Sequence, residues 1–183
     1  MRNWYARWIN RWENDLATRD KNRVVRPFEW GLDWLPGVSL NGDERSAVES
    51  YVRSAVADSE AFYKHLLPPD FRLDGGHLTF SSPLHTPYPE NNVVHCEYFP
   101  AERNRRRRAV VVLPQWNSDA QGHIGLCKLL NRHGIASLRL SMPYHDRRMP
   151  PELKRADYIV SSNVGRTIHA CRQAVIDTRC CLD

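Results

Sequence analysis

No stretch of this 183-residue sequence reaches the ~18–20 apolar residues that a bilayer-spanning helix needs. The opening Met1-Arg2-Asn3-Trp4 leads into charged residues with no apolar signal core, so the expectation is a cytoplasmic protein. Neither a GxGxxG fingerprint nor a GxxxxGK[ST] loop occurs, which argues against a dinucleotide or P-loop nucleotide site. There is no CxxC and no metal-ligand spacing among the histidines and cysteines. The five cysteines, Cys96, Cys127, Cys171, Cys180 and Cys181, are odd in number, and the adjacent pair cannot bridge without strain. They read as reduced thiols, and no cofactor and no metal is expected.

What is present is the composition of a globular protein, 42% hydrophobic and 26% charged. Length suits one domain with a real core. Trp4, Trp8, Trp12, Trp30 and Trp34 crowd the first 34 residues, and only Trp116 lies beyond them. The net charge is +5 and almost all basic residues are arginines. They are scattered except for Arg105-Arg106-Arg107-Arg108, which stands directly before an apolar strand and reads as a solvated loop that guards against aggregation. Nucleic-acid binding is therefore not expected.

Residues 1–17 can form a helix with Tyr5, Trp8, Trp12 and Leu16 on one face, packed on its own domain or a partner subunit rather than on a membrane. Residues 20–42 read as irregular, pinned by Trp30 and Trp34. Asp43 suits the N-cap of a helix whose stripe Val48, Val52, Ala55, Ser59, Phe62 and Leu66 runs to the stop at Pro68-Pro69. A β region follows: His77 to Ser81 after the turn Asp74-Gly75-Gly76, then Val93 to Phe99, whose alternation suits a strand near a sheet edge. Ala109 to Leu113 is apolar on both faces, as in a central parallel strand. Residues 122–133 predict a helix with Leu126, Leu129 and Leu130 inward and Gly134 as its C-cap residue. Ile135 to Met142 predicts a second buried strand, giving a right-handed βαβ unit. Pro143 to Tyr158 is a charged excursion, after which Ser161, Ser162 or Asn163 caps a helix with the stripe Val164, Ile168, Cys171, Val175 and Leu182.

Three stretches carry a family resemblance: Val110-Val111-Val112-Leu113-Pro114-Gln115-Trp116-Asn117, Leu140-Ser141-Met142-Pro143-Tyr144-His145, and Asp157-Tyr158-Ile159-Val160-Ser161 leading into Asn163-Val164-Gly165-Arg166-Thr167. Residues 75–183 resemble the N-terminal half of the α/β-hydrolase superfamily, near its dienelactone hydrolase and acyl-peptidase branches. The fold class implied is α/β, a partial α/β-hydrolase fold with strands one to four and the first two helices of the sheet, preceded by a Trp-rich helical segment over residues 1–74. The resemblance implies a serine-type hydrolase whose substrate is a small molecule with an ester, thioester or similar acyl bond. In that family the loop after the third strand supplies one backbone N–H of the oxyanion hole, because amide dipoles can be aimed where negative charge develops. By position the loop is Gln115, Trp116 and Asn117, with the N–H of Trp116 favoured. Pro114-Gln115 stands where the family has His-Gly.

The nucleophile elbow, G-x-S-x-G after a buried strand, is not found. Gly37-Val38-Ser39-Leu40-Asn41-Gly42 is one residue too long and follows no strand. His145-Asp146 reads as a loop-fixing pair rather than a dyad, and His123 as a helix-surface residue. The expectation is thus a fragment that stops before its nucleophile, inactive alone and prone to self-association through the open edge of residues 109–113. The alternative from another class is a small non-catalytic interaction module that recruits a partner through its Trp-rich N-terminus and basic surface.

Overall fold

A computed structural model describes residues 2–19, 24–38, 42–101 and 108–183. Its centre is a mixed five-stranded sheet with strands β1 (Arg72–Asp74), β2 (His77–Ser81), β3 (Val93–Phe99), β4 (Ala109–Val112) and β5 (Ala136–Leu140). The spatial order is β1-β2-β3-β5-β4, antiparallel up to β5 and parallel between β4 and β5. Around it lie helices α1 (Arg2–Arg19), α2 (Glu44–Ala57), α3 (Ser59–Phe62), α4 (Ile124–Arg132) and α5 (Val164–Cys180). Among the described residues no helix is long and apolar enough to cross a membrane.

Local chemistry explains several boundaries. Gly75 and Gly76 form a two-residue hairpin loop with φ of 54° and 84°, which a type I′ turn requires at both positions. Asp43 accepts from the Ser46 N–H and starts α2, while Asn163 accepts from the Arg166 N–H at 2.8 Å and starts α5. Gly134, at φ 71°, ends α4.

Side chains alternate across the sheet. Phe80, Val94, Cys96 and Leu140 share one face and form the main core with Ile176 and Cys180 of α5. The opposite face carries Ser137 and Arg139 and is covered by α4, to whose Cys127 carbonyl the Ser137 hydroxyl donates. The N-terminal segment packs outside α5, where Leu32, Leu35 and Val48 meet Val164 and Ile168. There the backbone of Glu29 and Trp30 hydrogen-bonds with Ser162, Val164 and Gly165, so closely that a Cβ on Gly165 would run into the Gly31 carbonyl oxygen.

Several expectations are corrected. The long helix after Asp43 breaks at Asp58, whose carboxylate caps the short α3, leaving Leu66 exposed. Val93–Phe99 lies inside the sheet, between β2 and β5, because β1 and β2 form a hairpin outside it. Among the described residues β4 is an edge strand, as expected of residues 109–113, but it is not buried on both faces, and Val110 is 40% exposed. α4 turns Cys127 inward while Leu126 and Leu129 face solvent. α5 buries Arg166, Gln173 and Asp177 instead of Cys171, Val175 and Leu182, because polar partners await them. The aromatic face of α1 is not packed away: Trp4, Tyr5, Trp8 and Trp12 are all exposed. Arg105–Arg107 and Ser39 lie outside the described residues.

Candidate functional site

The βαβ unit places two loops side by side at the C-terminal ends of the parallel strands, where α/β sheets form crevices. One is the Pro114–His123 connection after β4, and the other is the Ser141–Met149 connection after β5. In the first, the Ser118 N–H donates to the Gln115 carbonyl at 3.1 Å, closing a β-turn. Asn117 has φ 59° while Trp116 is not in the left-handed region, which makes this a type II turn. Asparagine is among the few residues that tolerate that conformation.

His145 holds the turn in place. The Asn117 N–H donates to its Nε2 at 2.9 Å, and its Nδ1 lies 2.8 Å from the Pro143 carbonyl. A carbonyl only accepts and Nε2 is already accepting, so the ring is neutral with its proton on Nδ1. The ring is fully buried, and that burial holds its pKa below the usual histidine value. Two further bonds fix the turn: the Trp116 indole N–H donates to the Ala156 carbonyl at 3.1 Å, and the Ala156 N–H to Asn117 Oδ1 at 3.3 Å. The guanidinium of Arg155 lies over the Trp116 ring. With these bonds made, the backbone N–H of Trp116 has no acceptor among the described residues, while Trp116 itself is half exposed. Gln115, Trp116 and Asn117 are thus brought together as one turn, with the Trp116 N–H available and the Asn117 N–H taken by His145.

Two buried charge pairs brace the loops. Arg139 on β5 donates to the carbonyls of Gly122 and Asp119, both at 2.7 Å, and to the Asp146 carboxylate at 3.2 Å. Asp146 therefore faces Arg139 and Ser141, not its neighbour His145. Tyr144 and Asp146, at φ 62° and 49°, hold a strained shape that these bonds over-determine. Behind them, Arg148 donates to the carbonyls of Asn91 and Ser141 and to the Asp177 carboxylate at 2.8 Å. Asp177 also accepts from Ser82 Oγ at 2.7 Å, Gln173 bonds Ser82 and Asn91, and Asn91 Oδ1 receives the Tyr144 N–H. Burial raises the Asp177 carboxyl against the opposing pull of Arg148 and Ser82.

Sequence reasoning missed Asn91, Arg139, Arg148, Gln173 and Asp177. The usable signal was on α5, where Gln173 and Asp177 recur four apart among the small residues Ala170 and Ala174, as a buried polar face does. The excursion at 143–158, read as charged, carries its own core of Tyr144, Leu153, Ala156 and Tyr158.

No hydroxyl or thiol is hydrogen-bonded to a histidine ring among the described residues. His77 and His95 stand together 3.0 Å apart beside Arg147 on the other face of β2 and β3, and burial with the neighbouring His77 pushes His95 down to about 4. Among the described residues no three metal-binding side chains converge. His123 sits before α4 at φ 69° with its Nδ1 buried and unpartnered. No known family model matches this chain, and no curated protein does. The braced turn stands just beyond the C-terminal end of β4. It presents a fixed backbone dipole at a strand end, a group suited to polarising a carbonyl oxygen.

Proposed function

We propose that this chain supplies the carbonyl-polarising loop of an α/β-hydrolase acting on an ester, thioester or similar acyl bond, with the Trp116 N–H as one donor of the oxyanion hole. The observation that carries the reading is the N–H of Trp116, unsatisfied in a type II turn that His145 and Ala156 hold, in a loop whose Asp119 carbonyl Arg139 grips just beyond the turn. The strand order supports it too. The strand matching the family's third lies outside the fourth, leaving an edge where a nucleophile-bearing fifth strand pairs. In this reading the serine, its histidine and its acid come from residues other than those described, and the chain alone does not turn over substrate. Gln115 and Asn117 act as neighbours that set the turn.

The test is to express the complete product of the coding sequence, reading through codon 183, and measure p-nitrophenyl ester hydrolysis. The reading expects a G-x-S-x-G serine after a buried strand and activity that disappears when that serine becomes alanine. In that protein Trp116→Pro, which suits position two of a type II turn but removes the N–H, lowers kcat about 10²-fold. Trp116→Phe, which keeps the N–H, does not. A product with no such serine and no hydrolysis above a heat-treated control sinks the proposal.

One observation favours the second reading, a non-catalytic interaction module: the uncovered aromatic face of α1, with Trp4, Tyr5, Trp8 and Trp12 exposed together. Changing Trp8 and Trp12 to glutamate distinguishes the two, since it abolishes partner binding in the module reading and leaves ester turnover intact in the hydrolase reading.

A further inference from the structure

The main core contains two thiols in contact. Cys96 on β3 has its Sγ 3.8 Å from the Sγ of Cys181, the residue that ends α5. Cys96 is buried between the sheet and α5, whereas Cys181 is partly exposed. Cys181 borders a cavity of about 340 Å³ whose lining is mainly apolar, including Leu78, Tyr98, Val111 and Leu138. Such a pocket admits a small uncharged oxidant. The two sulfurs need to close to the ~2.05 Å of a disulfide. Cys181 stands at the C-cap, where its N–H and those of Leu182 and Asp183 bond only to the carbonyls of Thr178 and Arg179, so an inward shift of this last turn leaves the body of α5 intact.

We propose that Cys96 and Cys181 are a peroxide-responsive pair that forms a reversible disulfide joining the central strand to the end of α5. Cys181 meets the oxidant first: its thiol releases a proton, the thiolate takes one oxygen from hydrogen peroxide to give a sulfenate and water, and the sulfenate recovers the proton to become a sulfenic acid. The Cys96 thiol then attacks that sulfur, the S–S bond forms, and the displaced hydroxyl leaves as a second water. The two electrons lost by the thiol pair reduce the peroxide. Cys96 suits the second role. Its hydrogen bond to Cys181 and its burial both push its thiol well above the ordinary cysteine value, so it resists oxidation until a neighbouring sulfenic acid appears. The competitor Cys180 is buried and pushed up to about 12, mainly by that burial, which keeps it a thiol. The product locks residues 181–183 onto the sheet face and closes a long loop in the unfolded chain, which raises resistance to unfolding.

The test uses the whole chain with stoichiometric hydrogen peroxide, followed by alkylation, non-reducing digestion and mass spectrometry. Expected is the loss of two of the five free thiols and a peptide pair containing Cys96 and Cys181, reversed by dithiothreitol. Because Cys180 and Cys181 are adjacent, the variants decide between them. Cys180→Ser retains the crosslink, Cys181→Ser abolishes it, and Cys96→Ser leaves a sulfenic acid on Cys181 that dimedone traps. The oxidised wild type melts several degrees higher than the reduced form, and all three reduced serine variants are checked for a native circular dichroism spectrum. Should any fail to fold, alanine replaces serine at that position. Loss of the crosslink in Cys180→Ser, a crosslink between two chains, or oxidation of Cys181 without any disulfide overturns the proposal.

Discussion

Replacing Asp177 by asparagine removes the counter-charge of an arginine that has no contact with solvent. Arg148 and Asp177 are both completely buried, and their 2.8 Å pair is reinforced by the Ser82 hydroxyl on the other carboxylate oxygen. Asparagine keeps the size and one acceptor, so the loss is mainly electrostatic. Removing one partner of a buried pair costs about 3–5 kcal/mol, because the remaining charge stays desolvated. The lower end applies here, since Arg148 still donates to the carbonyls of Asn91 and Ser141. At about 2–4 °C per kcal/mol for a chain of this size, the melting temperature falls by roughly 6–12 °C. Thermal denaturation followed by circular dichroism, with urea titration to verify an unchanged slope, measures it. A second variant sharpens the reasoning. Arg148→Met combined with Asp177→Leu removes both charges but takes the Arg148 donors from the Ser141 and Asn91 carbonyls, leaving Asn91 only the long bond from Gln173, so it does not return to wild-type stability. A fall below about 2 °C in Asp177→Asn, or full recovery in the double variant, refutes the claim that this network holds the loops after β4 and β5.

Further outcomes follow from the same structure. Gly165→Ala destabilises the chain by several kcal/mol in urea melts, since its methyl group meets the Gly31 carbonyl where the N-terminal segment crosses α5, and the segment has to move away. His145, held below the ordinary histidine pKa by burial, is neutral when folded and takes up a proton more readily when unfolded. Its contribution is therefore present above the unfolded value of about 6.5 and is lost as the pH falls below it. Wild type should thus lose more melting temperature between pH 7.5 and pH 5.5 than His145→Gln; equal losses would show that another group is responsible. Gly75→Asn preserves the hairpin, because asparagine accepts positive φ, whereas Gly76→Val weakens it, as thermal melts will show. At the sheet edge, the Ala136 N–H donates to the Arg108 carbonyl, so the parallel alternation points the Val111 N–H away from β5. Hydrogen exchange should be fast at Val111 in dilute samples and slow with rising concentration as edges pair, an effect that Val110→Lys removes.

Much of the scaffold was legible because its signals are local. The valine run of β4, the two glycines between β1 and β2, the caps Asp43 and Asn163, and Gly134 after α4 each dictate backbone shape within a few residues. The parallel pairing of β4 and β5 followed from two apolar runs joined by a helical stretch, since such a crossover brings like-directed strands together. Gln115, Trp116 and Asn117 were singled out by the family resemblance, and they form one turn in the loop after β4. What only tertiary structure decided is which side chains close on one another across long sequence distances. His145 meets Asn117 across 28 residues, and Arg148 meets Asp177 across 29. Neither pair leaves a periodic trace: His145 was read as fixing its loop with Asp146, whereas its partners are Asn117 and the Pro143 carbonyl, and Asp177 was not singled out. Hydrophobic patterning misread α5 for the same reason. Its stripe of Cys171, Val175 and Leu182 is apolar, but the buried side is the one where Arg166, Gln173 and Asp177 can be satisfied. A polar residue is buried when partners from other elements meet its hydrogen bonds, and those partners are known only once the chain has folded.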